Sequence, residues 1–130
     1  MLIRMDLARI VISENAESQI IVLRERDGDR QFPIVIGINE ALAIDRRLKG
    51  MSSARPLTHD LIAAVIHDLD AELEQIVISE LRHHTFFAKL VIRRNGDLIE
   101  IDSRPSDAIA LGASGDTPIF VDDSILRQVC

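Results

Sequence analysis

Cysteine is almost missing from this chain: the only one, Cys130, is its last residue, so no intrachain disulfide can form. Tryptophan and tyrosine are absent, and phenylalanine occurs four times, as Phe32, Phe86, Phe87 and Phe120. A platform that stacks the bases of a single strand normally carries more aromatic rings. No apolar run approaches the ~20 residues that cross a bilayer, and no cationic, apolar leader opens the sequence. Six glycines and four prolines in 130 residues are too few for a low-complexity scaffold, and 47% hydrophobic with 28% charged residues is a globular composition. At this length roughly two thirds of the unfolded surface is buried on folding, so a core forms without staples. A soluble, cytoplasmic protein is expected.

Positive charge is also in short supply. Fifteen lysines and arginines stand against 21 acids, a net charge of −6. Such a field repels phosphate backbones at long range, so any nucleic-acid contact must be a local patch. Thirteen of the fifteen cations are arginine, whose planar fork suits carboxylate and phosphate.

What is present includes an internal echo. Ile10-Val11-Ile12-Ser13-Glu14 recurs as Ile76-Val77-Ile78-Ser79-Glu80, an offset of 66, and Glu40-Ala41-Leu42-Ala43-Ile44 answers to Asp107-Ala108-Ile109-Ala110-Leu111, an offset of 67. Between them each half runs an apolar stretch into a turn, Asp27-Gly28-Asp29 or Asn95-Gly96-Asp97, then into another β-prone stretch and an Ala-rich helix. Asn-Gly is the strongest short hairpin signal, because both central residues must accept positive φ. The pattern predicts an α+β fold of one domain over residues 1–130. Two β-β-β-α repeats, about 5–50 and 72–115, are joined by a central helix over 58–69 with Leu61, Ile62, Val65, Ile66 and Leu69 as its apolar stripe. Asn39, Thr58 and Ser106 are expected as N-caps, Gly50 as the stop of the first helix, 118–121 as a short strand, and Asp122 or Asp123 as the cap of a closing turn. The runs 20–23 and 34–36 are too continuous for a sheet open to water on one face. They must be covered by helices or by a second subunit, and a homodimer is expected.

Several blocks resemble the bifunctional nuclease domain family: Phe32-Pro33-Ile34-Val35-Ile36-Gly37 with Glu40-Ala41 and Ile44, then Arg55-Pro56-Leu57-Thr58-His59-Asp60-Leu61, then Thr85-Phe86-Phe87-Ala88 with Leu90. The longest is Ile101-Asp102-Ser103-Arg104-Pro105-Ser106-Asp107-Ala108-Ile109-Ala110-Leu111, followed by Pro118-Ile119-Phe120-Val121. The resemblance runs in family order over nearly the whole chain. It implies an α+β domain of mixed sheets and a nuclease activity, borne mainly by plant members, on RNA and single-stranded DNA.

Phosphodiester cleavage needs a group that activates water or a 2′-hydroxyl and a cation that holds the phosphate. Two constellations offer these. In the first, Asp102 ends a strand, Arg104 forks onto phosphate, and Ser106 with Asp107 opens a helix whose free amides favour anions; equally, Arg104 pairs with Asp102 or Asp107 and the corner is structural. In the second, His59 is a general base with Asp60 orienting it or binding a divalent ion, and Arg55 adds a phosphate contact; the alternative is that Asp60 offsets a helix dipole and His59 rests on the surface. Glu40, matched to Asp107 by the repeat, adds a fourth acid, so Glu40, Asp60, Asp102 and Asp107 are the candidate ligands of Mg²⁺ or Mn²⁺. His83-His84 reads as a solvated loop, and the histidines and Cys130 match no structural zinc spacing. Against the nuclease stands a non-enzymatic binding or regulatory module that assembles as an oligomer or with a protein partner.

Overall fold

The structure, a computed structural model, describes residues 1–13 and 15–130; Glu14, the end of the first repeated pentapeptide, lies outside the described residues. The elements run β1 (Leu2–Val11), β2 (Gln19–Glu25), β3 (Gln31–Ile36), α1 (Ile38–Leu48), α2 (Thr58–Asp68), β4 (Ala71–Arg82), β5 (Thr85–Arg94), β6 (Asp97–Ser103), α3 (Pro105–Ala113), β7 (Ile119–Asp122) and α4 (Asp123–Val129). All seven strands form one mixed sheet in the order β3-β2-β1-β7-β4-β5-β6. Among the described residues only β4 and β7 pair in parallel. The fold is α+β, and each half runs three antiparallel strands into a helix.

Turn chemistry sets the registers. Asn95 and Gly96, with φ of 52° and 83°, are the two central residues of the β5–β6 hairpin. His83 and His84 have φ of 49° and 64° and do the same between β4 and β5, exposed at the turn. Pro118 precedes β7 in the middle of the sheet, where it needs only an acceptor, and its carbonyl takes the Ile76 N–H at 2.9 Å. Asp122 caps α4, accepting from the Ser124 N–H at 3.0 Å. Gly50, just past α1, sits at φ 67°, the left-handed stop that glycine tolerates best.

The core lies between one sheet face and the helices. Met5, Ile21, Leu23, Phe32, Ile76, Ile78 and Val121 from the sheet meet Ile44, Ile109, Ile125 and Leu126 from α1, α3 and α4. The covering expected for 20–23 comes from within the chain: Ile21, Val22 and Leu23 are buried. In 34–36 the burial alternates instead, Ile34 and Ile36 inside and Val35 exposed, so this stretch asks for no cover on its second face. The unpartnered apolar surface is elsewhere. Helix α2 has no buried residue; Ala63 and Ile66 touch the core, while Leu61, Ile62, Val65 and Leu69 stay exposed. Among the described residues no helix is long and apolar enough to cross a membrane.

Candidate functional site

Three helices begin near one another, and each carries an acid at its third position. The caps fall upstream of the expected ones: Gly37 caps α1, Leu57 caps α2 and Arg104 caps α3, none through a side-chain hydrogen bond. Asn39, Thr58 and Ser106 therefore lie inside the first turns. Pro105 explains the shift in α3, because proline at the first helical position has φ pre-set and no amide to leave unpaired. Glu40, Asp60 and Asp107 are then the third residues of their helices, where a carboxylate meets the positive helix end. Asp60 uses that position to accept the Leu57 N–H at 3.1 Å.

Glu40, His59, Arg104 and Asp107 meet. The Arg104 Nε–H donates to Asp107 Oδ2 at 2.8 Å, and its terminal nitrogen reaches Glu40 Oε1 at 3.1 Å. His59 Nε2 lies 3.1 Å from Asp107 Oδ1. One carboxylate thus holds an imidazole with one oxygen and a guanidinium with the other. Gly37 makes room for Glu40: a Cβ there would collide with the Glu40 carboxylate, which folds back over the helix start. The side chain of Arg104 is 65% exposed and that of His59 only 15%, so the cation faces water while the imidazole sits at the wall. Burial alone would raise the Asp107 carboxyl, but hydrogen bonds from Arg104 and His59 outweigh it and hold it below its ordinary value. Asp107 in turn holds the Arg104 guanidinium above its usual range, with Glu40 adding to it. With His59 neutral, two carboxylates and one guanidinium leave the cluster at −1.

The remaining expected residues are placed elsewhere. Asp60 does not orient His59. It faces Arg47, and the Leu57 N–H, then the Arg47 charge, keep its carboxyl low against a desolvation that would raise it. Asp102 is exposed on β6, opposite Lys89 in register. Ser106 is buried, so its hydroxyl does not face solvent. Arg55 lies in the exposed connection 49–57 and, among the described residues, makes no hydrogen bond or ion pair with the cluster. The four acids do not assemble, and among the described residues no three His, Cys, Asp or Glu side chains are grouped to hold a metal ion. This donor set does not fit Mg²⁺ or Mn²⁺. The sequence reading missed Arg47, whose buried guanidinium ties α1 to α2 and to the end of α3; an Arg-Arg pair in a last helical turn gives no signal of that role.

The cluster sits at one end of an apolar groove of about 1180 Å³, walled by α2 and by Leu90, Ile92, Ile99 and Ile101 of β5 and β6.

Compared with known proteins, residues 21–130 match the model of the bifunctional nuclease domain. An uncharacterized protein of Mycobacterium tuberculosis is 39% identical over 119 residues, which are 92% of this chain and 71% of that protein. "Bifunctional nuclease 2" of Oryza sativa is 28% identical over 118 residues, and "Bifunctional nuclease 1" of Arabidopsis thaliana 24% over 114, covering 88% and 85% of this chain. The match spans only 36% and 35% of those plant proteins. The family match takes in the corner from β6 into α3 and the two helices that converge on it, and with the bacterial relative it settles the kinship: the chain belongs to the bifunctional nuclease domain family.

Proposed function

We propose that the chain is a nuclease that hydrolyses phosphodiester bonds of RNA and single-stranded DNA at the Glu40–His59–Arg104–Asp107 cluster. The observation that carries this reading is the shared carboxylate of Asp107, which joins a histidine to an exposed arginine. A carboxylate at Nε2 favours the tautomer protonated there, leaving Nδ1 with the lone pair that accepts a proton. The proton comes from the 2′-hydroxyl of RNA or from water. Of the five N–H donors of Arg104, two are engaged by Asp107 and Glu40, and the others are available to phosphate oxygens. The first-turn amides of α2 and α3 add partial positive charge beside them. The roles divide among three side chains, with Asp107 orienting the imidazole, His59 taking the proton and Arg104 holding the phosphate. On RNA the deprotonated 2′-oxygen bonds the phosphorus as the bond to the 5′-oxygen breaks; that oxygen leaves with the proton His59 took up, and water then opens the cyclic phosphate. On DNA water must attack directly, so the internal nucleophile favours RNA.

The test is a cleavage assay on labelled single-stranded RNA and DNA, with chelator and with added Mg²⁺ or Mn²⁺. A His59→Ala protein purified alongside reports host contamination. The expected result is cleavage by the wild type alone, faster on RNA. Cleavage by neither preparation would remove the nuclease and leave the binding or regulatory module; equal cleavage by both would remove this cluster as the site.

Glu40 gives a second, milder outcome. Its carboxylate occupies an edge of Arg104 and repels incoming phosphate. Glu40→Gln is expected to lower KM about three- to tenfold, the scale of one unit charge about 4 Å away in a near-aqueous dielectric, ~1 kcal/mol. The loss of a charge at the helix start costs ~0.3–1 kcal/mol of stability. An unchanged or higher KM would show that Glu40 does not compete with substrate.

A further inference from the structure

We propose that a small cavity at the far end of α3, away from the polar cluster, binds an aliphatic α-amino acid such as leucine as its zwitterion.

The cavity exists because β7 is short. Its four residues reach only Met5 on β1 and Ile76 on β4, so beyond those points the two long strands have no strand between them. The end of α3 and residues 116–117 border the gap, which leaves a cavity of about 180 Å³. A nucleotide or a drug-sized molecule takes ~300 Å³ or more. One amino acid fits. Ile76, Ile109 and Ile119 give the cavity an aliphatic wall, and all three are buried.

The charges choose the ligand. Arg4, Asp6, Arg26 and Asp116 line the cavity, two of each sign. Arg26 is engaged by Asp6, its Nε–H and a terminal nitrogen donating to Oδ1 at 3.1 and 2.7 Å. Arg4 is not so engaged. Its Nε–H is buried and, among the described residues, meets no acceptor, while the guanidinium lies over the Phe120 ring, 5.8 Å from the centroid. Buried donors without a partner are rare in folded proteins, and each asks for an acceptor. A carboxylate is the acceptor that best suits a guanidinium. For the opposite sign, Asp116 stands exposed at the cavity and α3 ends beside it with the negative pole of its dipole; both favour an ammonium. The four side-chain charges cancel, so a plain anion or cation would leave one sign uncompensated. A zwitterion brings one of each, and its aliphatic side chain takes the isoleucine wall. Binding here does not depend on the nuclease reading, because the readout is heat.

Isothermal titration of the full chain with L-leucine, up to about 10 mM, spans the affinities expected of so small a ligand. The expected Kd is about 1 mM or tighter. Two analogues are each expected to bind at least about tenfold more weakly: 4-methylpentanoate, which lacks the ammonium, and 3-methylbutylamine, which lacks the carboxylate. Arg4→Met keeps the stem and removes the unpaired donor. It is expected to weaken leucine at least about tenfold while its Tm stays at or above wild type. At Asp116 the φ is 55°, which asparagine accepts, so Asp116→Asn is expected to keep its Tm. Losing that charge is expected to weaken leucine about three- to tenfold. No heat with leucine up to the highest concentration overturns the proposal. So does leucine binding that either folded variant leaves unchanged, or an analogue that binds as tightly as leucine, which would show that one of the two charges is not read.

Discussion

His59→Ala is expected to lower kcat on single-stranded RNA about 10²- to 10⁴-fold, the range carried by a positioned general acid or base. The loss should fall on kcat more than on KM, because the imidazole acts on the moving proton and holds no phosphate. Arg104→Ala is expected to be as severe, with KM rising as well, since a phosphate clamp can supply several kcal/mol of transition-state stabilisation. Its exposed ion pairs contribute only ~0–1 kcal/mol to the fold, so Tm should stay within a few degrees. Asp107→Asn keeps the shape but loses the charge that fixes the His59 tautomer and supports His59 after it takes up the proton. An intermediate activity is expected. Because Asp107 is held below its ordinary value of 3.8, the stability it contributes is present above that pH and is lost as pH falls through the lower folded value. Asp107→Asn should flatten that part of the acid melting curve. Folded variants at positions 59 and 104 that cleave like the wild type would remove this cluster as the site.

Much of the architecture was legible because it rests on local chemistry. Asn95-Gly96 forms a two-residue turn wherever two β-prone runs flank it, and Gly50 stops a helix because it accepts positive φ. The apolar stripe of α2 was legible as well, but not its fate. Periodicity marks a face as apolar without saying whether this chain or another covers it. Helix starts slipped upstream because Gly37, Leu57 and Arg104 cap by backbone conformation alone, with no side-chain acceptor to read.

The site was half legible for a different reason. The two motifs that hold it, His59-Asp60 and Arg104 with Asp107, were visible as separate constellations, yet which carboxylate serves His59 depends on how α2 docks on α3. Adjacent residues on a helix point about 100° apart, so His59 turning toward Asp107 sends its sequence neighbour Asp60 to Arg47. The sequence offset that matches Glu40 to Asp107 suggested that these two acids lie near each other, and both end up on the same guanidinium, whose pairing with Glu40 nothing in the sequence marked. The same offset matches cap to cap, Gly37 to Arg104, so only the second half supplies a cation at its strand-to-helix corner.

Arg47→Ala is expected to destabilise the fold by about 3–5 kcal/mol, the cost of removing one partner from a buried charged network, lowering Tm by about 10 °C or more. The side chain of Arg47 is only 9% exposed. Its Nε–H donates to the Ala110 carbonyl at 2.7 Å, and one terminal nitrogen donates to Leu111 O at 3.2 Å and Ser114 Oγ at 2.8 Å, while the other meets Asp60. These carbonyls belong to the last turns of α3, where backbone acceptors run out of helical partners and the helix dipole is negative. Without Arg47 they are buried and unpaired, at ~1–3 kcal/mol for each group left so. Arg47→Met keeps the stem and removes only the polar head, so it should lose nearly as much, whereas Arg47→Lys keeps the charge, reaches fewer acceptors and should fall between. Asp60→Asn is expected to cost far less, because that carboxylate is partly open to water and keeps an acceptor for the Leu57 N–H. The Asp60 carboxyl is held below 3.8, so its contribution is present above that pH and lost as pH falls through the lower folded value. That acid loss should shrink in Asp60→Asn and, with one of its supporting charges gone, in Arg47→Ala as well. Since Arg47 holds α2 through its ion pair with Asp60, its removal also loosens the helix that carries His59, and cleavage should fall beyond the unfolded fraction. An Arg47→Ala protein melting within about 2 °C of wild type would mean that water replaces the guanidinium at no cost, against the burial of that side chain.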